Sequence, residues 1–130
     1  MARLGDGWLA SAYNTLPDQF KIGLTKLENN LKTVGKDPPS FPNALVTMFM
    51  YVTEGKSKAE RVLSETLTAL LKRPVEELRA RLLVGSPQAC AEKLGAYKAA
   101  GVQRVFIWPV ADELDQLTVF QTKVAPLVDV

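Results

Sequence analysis

Apolar residues in this chain follow two patterns, short and nearly continuous runs, and longer stretches spaced by three and four. The run at residues 7–12 (Gly-Trp-Leu-Ala-Ser-Ala) predicts a strand entering a loop. A helix follows, with Thr15 and Asp18 three apart and Pro17 in the first turn, and with Phe20, Leu24, Leu27, Leu31 and Val34 on one stripe. Gly35 supplies a left-handed stop, and the proline-rich stretch 37–42 is a connector. Residues 44–52 (Ala-Leu-Val-Thr-Met-Phe-Met-Tyr-Val) are apolar almost throughout, the mark of a strand covered on both faces.

Residues 53–56 read as a turn, after which Ser57 and Glu60 form a capping-box pattern for a helix burying Ala59, Leu63, Leu67 and Leu70. Pro74 fits the first position of another helix, with Val75, Leu78 and Leu82 inward and a Glu77–Arg81 charge pair on its solvated face. Ser86 and Pro87 are an N-cap and first helical residue for a helix that buries Cys90, Leu94 and Tyr97 and closes at Gly101. Residues 102–109 (Val-Gln-Arg-Val-Phe-Ile-Trp-Pro) predict the third strand. Asp112 and Asp115 begin the last helix, whose core side is Leu114, Leu117, Phe120 and Val124.

Strands alternating with helices predict an α/β fold with parallel strands joined by right-handed crossovers. In such a layer the helix after each strand starts at the strands' C-terminal end, where ligands bind. The Ser86 helix leads back into the strand at residue 102, which puts its N-terminus on that same side.

Composition narrows the chemistry. The 130 residues contain no His and one Cys, which removes Ser-His-Asp and Cys-His catalysis, His-ligated metals, intrachain disulfides and thiolate zinc clusters. With 16 Lys+Arg against 14 Asp+Glu, no electrostatic footprint for nucleic acid or anionic membrane emerges. No run has the length of a spanning helix and the N-terminus lacks a signal peptide's apolar core, so a cytoplasmic protein with neither nucleic-acid nor membrane partners is expected.

Gly85, Ser86 and Pro87 at a helix start are the best candidate anion site, because free N–H groups and the positive end of the dipole meet there; an ordinary N-cap is the competing reading. Trp8, Tyr51 and Trp108 near strand ends are candidates for an aromatic pocket, against core packing. Asp6 and Asp112 sit where carboxylates cap helices and turns. Cys90, on a buried stripe, reads as an apolar filler. No nucleotide loop, metal constellation or carboxylate pair is present, and no catalytic residue can be named.

Three segments in order, residues 2–9 (Ala-Arg-Leu-Gly-Asp-Gly-Trp-Leu), 84–94 (Val-Gly-Ser-Pro-Gln-Ala-Cys-Ala-Glu-Lys-Leu) and 101–109 (Gly-Val-Gln-Arg-Val-Phe-Ile-Trp-Pro), together resemble the C-terminal part of luciferase-like monooxygenases, which are flavin- or deazaflavin-dependent oxidoreductases. The resemblance implies a partial TIM-type barrel, one domain over residues 1–130 built from about the last three β/α units, with the first five strands missing. It further implies FMN or a deazaflavin as cofactor, a small organic substrate, and cofactor contacts from Gly85, Ser86, Trp8 and Trp108. Leu16 departs from the Thr that family members commonly carry as helix cap, leaving Thr15 to cap. An incomplete barrel is expected to form a homodimer or to join a separate N-terminal half. The alternative is a non-catalytic remnant that serves as a self-associating structural or binding domain.

Overall fold

The computed structural model describes residues 1–128. Among these, four strands form one parallel sheet: β1 Trp8–Ser11, β2 Asn43–Val52, β3 Leu83–Gly85 and β4 Val105–Pro109. Strand β2 is central. Leu45 lies opposite both Ala10 of β1 and Val105 of β4, and Met50 lies opposite both Leu83 of β3 and Pro109 of β4. Strands β1 and β3 therefore share one edge of β2, end to end, and β4 takes the other. The sequence predicts three strands; β3 is the fourth, and its three residues are too few to show a period.

The helices are α1 Pro17–Thr33, α2 Lys56–Arg61, α3 Thr68–Leu71, α4 Val75–Arg81, α5 Pro87–Ala99 and α6 Glu113–Val119. Thr15 does not cap α1. Leu16 is the N-cap, and the Gln19 side chain accepts its amide at 2.8 Å, while the Thr15 carbonyl accepts the Tyr97 hydroxyl at 2.7 Å. The Ser57–Glu60 box does not form either. Gly55 is the N-cap of α2, and Glu60 instead pairs with Arg79 of α4.

Between α2 and α3 a π-turn, Val62–Leu67, inserts one residue into the helical phase. The Thr68 hydroxyl donates to the Leu63 carbonyl, five residues back, at 2.8 Å. This shift turns Leu70 out to solvent and brings Leu71 against the core in its place. The last helix departs from its predicted phase as well. Leu114 and Leu117 are exposed and Gln116 is buried instead, whereas Val124, at the end of a second π-turn, is buried as its spacing predicts.

Strand pleating divides the sheet into a covered and an open face. Leu45, Met48, Met50 and Leu83 are wholly buried under the helices. On the opposite face Leu9, Phe106 and Trp108 are exposed by 62, 50 and 51%. Register along β2 is kept by a bulge: from Leu45 to Met48, β2 advances three residues while β4 advances two, Val105 to Ile107. Thr47, within the bulge, has φ +61°.

Candidate functional site

The C-terminal ends of the strands bring three devices together. The first is the start of α5, where Ser86 is the N-cap as its sequence predicts, its hydroxyl oxygen accepting the Ala89 amide at 3.2 Å. Pro87 carries no N–H and the Cys90 amide donates to the Ser86 carbonyl, so in this first turn the Gln88 amide is the one left for an anion among the described residues. The Ser86 proton also remains free to donate outward. Gly85 has φ +144°, which L-residues rarely adopt, and its carbonyl accepts the Thr53 amide at 2.8 Å, tying this turn to the end of β2.

The second device joins β2 to α6. The Gln116 amide donates to the Val52 carbonyl at 3.0 Å and accepts the Val52 amide at 2.6 Å, with all these atoms buried. One step away, the Tyr51 hydroxyl donates to the Asp112 carboxylate at 2.8 Å, and Lys58 lies over the Tyr51 ring at 5.3 Å. That hydrogen bond, then burial and the negative charges of Asp112 and Asp115, raise the Tyr51 pKa above its ordinary value. Asp112, at φ +51°, makes no side-chain cap on its own helix. Tyr51 is thereby committed to Asp112.

The third device is the open face beside β4, where Trp108 meets Phe49 edge-on with ring centroids 5.6 Å apart. Trp8 does not join it. Its ring stacks on Phe20 of α1 at 4.5 Å, and a Cβ placed on Gly23 would come within 3.0 Å of it. Trp8 and Trp108 therefore lie on opposite faces of the sheet, because Trp8 alternates with the exposed Leu9.

Cys90 is buried, and burial pushes its thiol up to about 11. Lys93 on the same helix is half-buried with its ammonium donating to the carbonyls of Arg79 and Leu82, and this desolvation lowers its pKa. It caps the end of α4. Among the described residues no group of three or more acidic or Cys side chains is placed to hold a metal, and no helix is long and apolar enough to cross a membrane.

Sequence reasoning missed Gln116 and Thr47. Gln116 carried a faint signal, a long polar side chain within an otherwise amphipathic helix. The bulge at Thr47 left none, since Val-Thr-Met-Phe continues an ordinary strand pattern.

No known family profile and no curated protein matches this sequence. Solved structures do match its fold. An F420-dependent secondary alcohol dehydrogenase in complex with an F420-acetone adduct aligns with TM-score 0.78 at 14% identity, over 99% of this chain and 44% of its own. The coenzyme F420 dependent tetrahydromethanopterin reductase from Methanopyrus kandleri aligns with TM-score 0.69 at 15% identity, over 98% of this chain and 47% of its own. A riboflavin lyase with modified FMN and substrate riboflavin aligns with TM-score 0.66 at 13% identity, over 98% of this chain and 39% of its own. These proteins are luciferase-like oxidoreductases, the family that the sequence motifs resemble. This chain spans less than half the length of each, and over that span it has their fold, a partial parallel β/α barrel.

Proposed function

We propose that this chain is the cofactor-end portion of a luciferase-like flavin- or deazaflavin-dependent oxidoreductase. One observation carries the reading: a helix N-terminus and a half-exposed indole stand at the ligand end of a sheet whose fold recurs in enzymes described with F420 or FMN. Gly85, opposite Val52, and Trp108, opposite Phe49, lie on the two edges of β2. Two strand spacings and three residues of rise separate them by about 14 Å between Cα positions. A ligand touching both is elongated, with a planar ring at one end and an anion at the other.

FMN and deazaflavins have that shape, and the residues present fit part of such a group. Ser86 and the Gln88 amide would face the phosphate, and Trp108 with Phe49 would wall the ring. The bound cofactor would supply the redox chemistry. Trp8 takes no part in it, since its ring stacks on Phe20 of α1 on the other face of the sheet. A small organic substrate and the remaining contacts would come from a second copy or from the other half of the barrel, in the cytoplasm.

The test is a fluorescence titration of the purified chain with FMN and with a deazaflavin. Signal unchanged up to millimolar ligand overturns binding by this chain alone. Ser86→Ala is expected to weaken FMN more than riboflavin, by about ten- to a hundredfold for one hydrogen bond to a charged group. Equal loss for both returns Ser86 to the role of cap. The second reading, a non-catalytic self-associating domain, is favoured by the exposed Leu9, Phe106 and Trp108. Concentration-dependent association without flavin binding would select it.

A further inference from the structure

Thr47 holds a β-branched side chain at φ +61°, a strained conformation that persists where the surroundings enforce it. Glycine would fill the bulge without that strain. What the threonine adds is a hydroxyl, and the hydrogen bonds around it run in one direction. Arg73 donates to the Asn14 carbonyl oxygen at 2.6 Å, which fixes the Asn14 amide so that its NH₂ donates to the Ser11 hydroxyl at 3.2 Å. Ser11 and Thr47 hydroxyls lie 3.3 Å apart, and Thr47 donates to the Val46 carbonyl. With its own proton so used, Thr47 Oγ1 receives the proton of Ser11. One lone pair of Thr47 Oγ1 is left, half-buried, on the open face two residues from Phe49.

We propose that the Thr47 bulge is a ligand-recognition device: the chain from Arg73 through Asn14 and Ser11 fixes Thr47 Oγ1 as a hydrogen-bond acceptor for an N–H on the edge of a planar ring lying against Phe49 and Trp108. The ligand class is a heteroaromatic imide. This rests on the flavin-type reading above and adds the atom that reads the ring's edge.

Lumiflavin, which has the ring and its imide N–H but no phosphate, and its N3-methyl derivative are the probes. Quenching of tryptophan fluorescence reports binding to wild type, Thr47→Gly and Thr47→Ser, and thermal melts without ligand report stability. Thr47→Gly is expected to melt at or above the wild-type temperature and to bind lumiflavin about three- to tenfold more weakly, the range of one hydrogen bond. Thr47→Ser is expected to bind within about twofold of wild type, since it keeps the acceptor. Methylation of the imide should weaken binding to wild type by a similar factor and leave the glycine variant indifferent.

A glycine variant that binds lumiflavin as wild type does overturns this inference and spares the flavin reading. A glycine variant that melts lower shows that Thr47 is kept for stability, and it too overturns the inference. Absence of lumiflavin binding to wild type overturns this inference; if FMN does not bind either, flavin binding by this chain falls with it.

Discussion

Neighbouring residues of one strand meet opposite surroundings in this sheet. Met48 is wholly buried beneath the helices, while Phe49, next to it, is half-buried and meets a Trp108 ring that is 51% exposed. Both faces are apolar, so polarity does not separate them. What separates them is a covering layer, present on one side among the described residues. The covered face gains free energy from burial, and the open face retains apolar surface that a ligand or another polypeptide can bury.

The sharpest break between the two faces is a truncation on the covered one. Met48→Ala is expected to cost about 2–5 kcal/mol, the range for deleting a large buried side chain whose surroundings relax only in part. Urea denaturation checks it. A cost below about 1 kcal/mol would mean that the helices do not pack on β2 as tightly as the burial of Met48 implies.

Next in size comes the clamp that closes the covered layer at the ligand end. Gln116→Ala removes both partners of Val52 and leaves a buried N–H and C=O unpaired. Each orphaned group costs about 1–3 kcal/mol, so a loss of about 3 kcal/mol is expected. Amide exchange should also speed up at Val52 before it does at Leu45. Uniform acceleration along β2 would show that Gln116 supports the whole sheet rather than its end.

The covered layer is also set apart by alkali. Burial raises Cys90 to about 11 and Tyr97 to about 12, from 9.0 and 10.0. A raised folded-state pKa means that the native protein holds these protons more tightly than the unfolded chain does. Their contribution is complete below pH 9 and is lost as pH rises towards 11 and 12. Cys90 alone accounts for a loss on the order of 2 kcal/mol between pH 8 and pH 11. Cys90→Ala should be destabilised less over that interval, measured by urea midpoints at the two pH values. An equal loss would place the alkaline sensitivity elsewhere.

Sequence pattern made one of these faces far more legible than the other. Alternation of strands and helices predicts the parallel sheet, and the Ser86 cap and the buried Cys90, Leu94 and Tyr97 follow from spacing, because packing imposes a period. Where the backbone departs from ideal geometry the period misleads. The π-turn at Val62–Leu67 exchanges Leu70 for Leu71, and the bulge at Thr47 leaves no compositional trace. Site residues were the least readable, because facing depends on pairing partners distant in sequence. Trp8 and Trp108 look alike as aromatic residues in short strands, yet the Phe20 of α1 claims one and the open face keeps the other.

The smallest effect, and the one that bears most directly on the open face, is expected from Trp108. Removing a buried tryptophan is among the most costly core truncations, but half of this side chain already meets water, and the ring contact it forfeits among the described residues is the edge-on meeting with Phe49. Such an aromatic pair is worth about 0.5–1.5 kcal/mol, so Trp108→Ala should cost about 1 kcal/mol in dilute solution. That value must not depend on protein concentration if the open face is free. A cost that grows as the protein is concentrated means that a second copy covers the ring and that the indole contributes to association, since stability linked to binding scales with the partner's concentration. A large cost already at high dilution would remove the distinction between the faces altogether, because Trp108 would then be behaving as Met48 does.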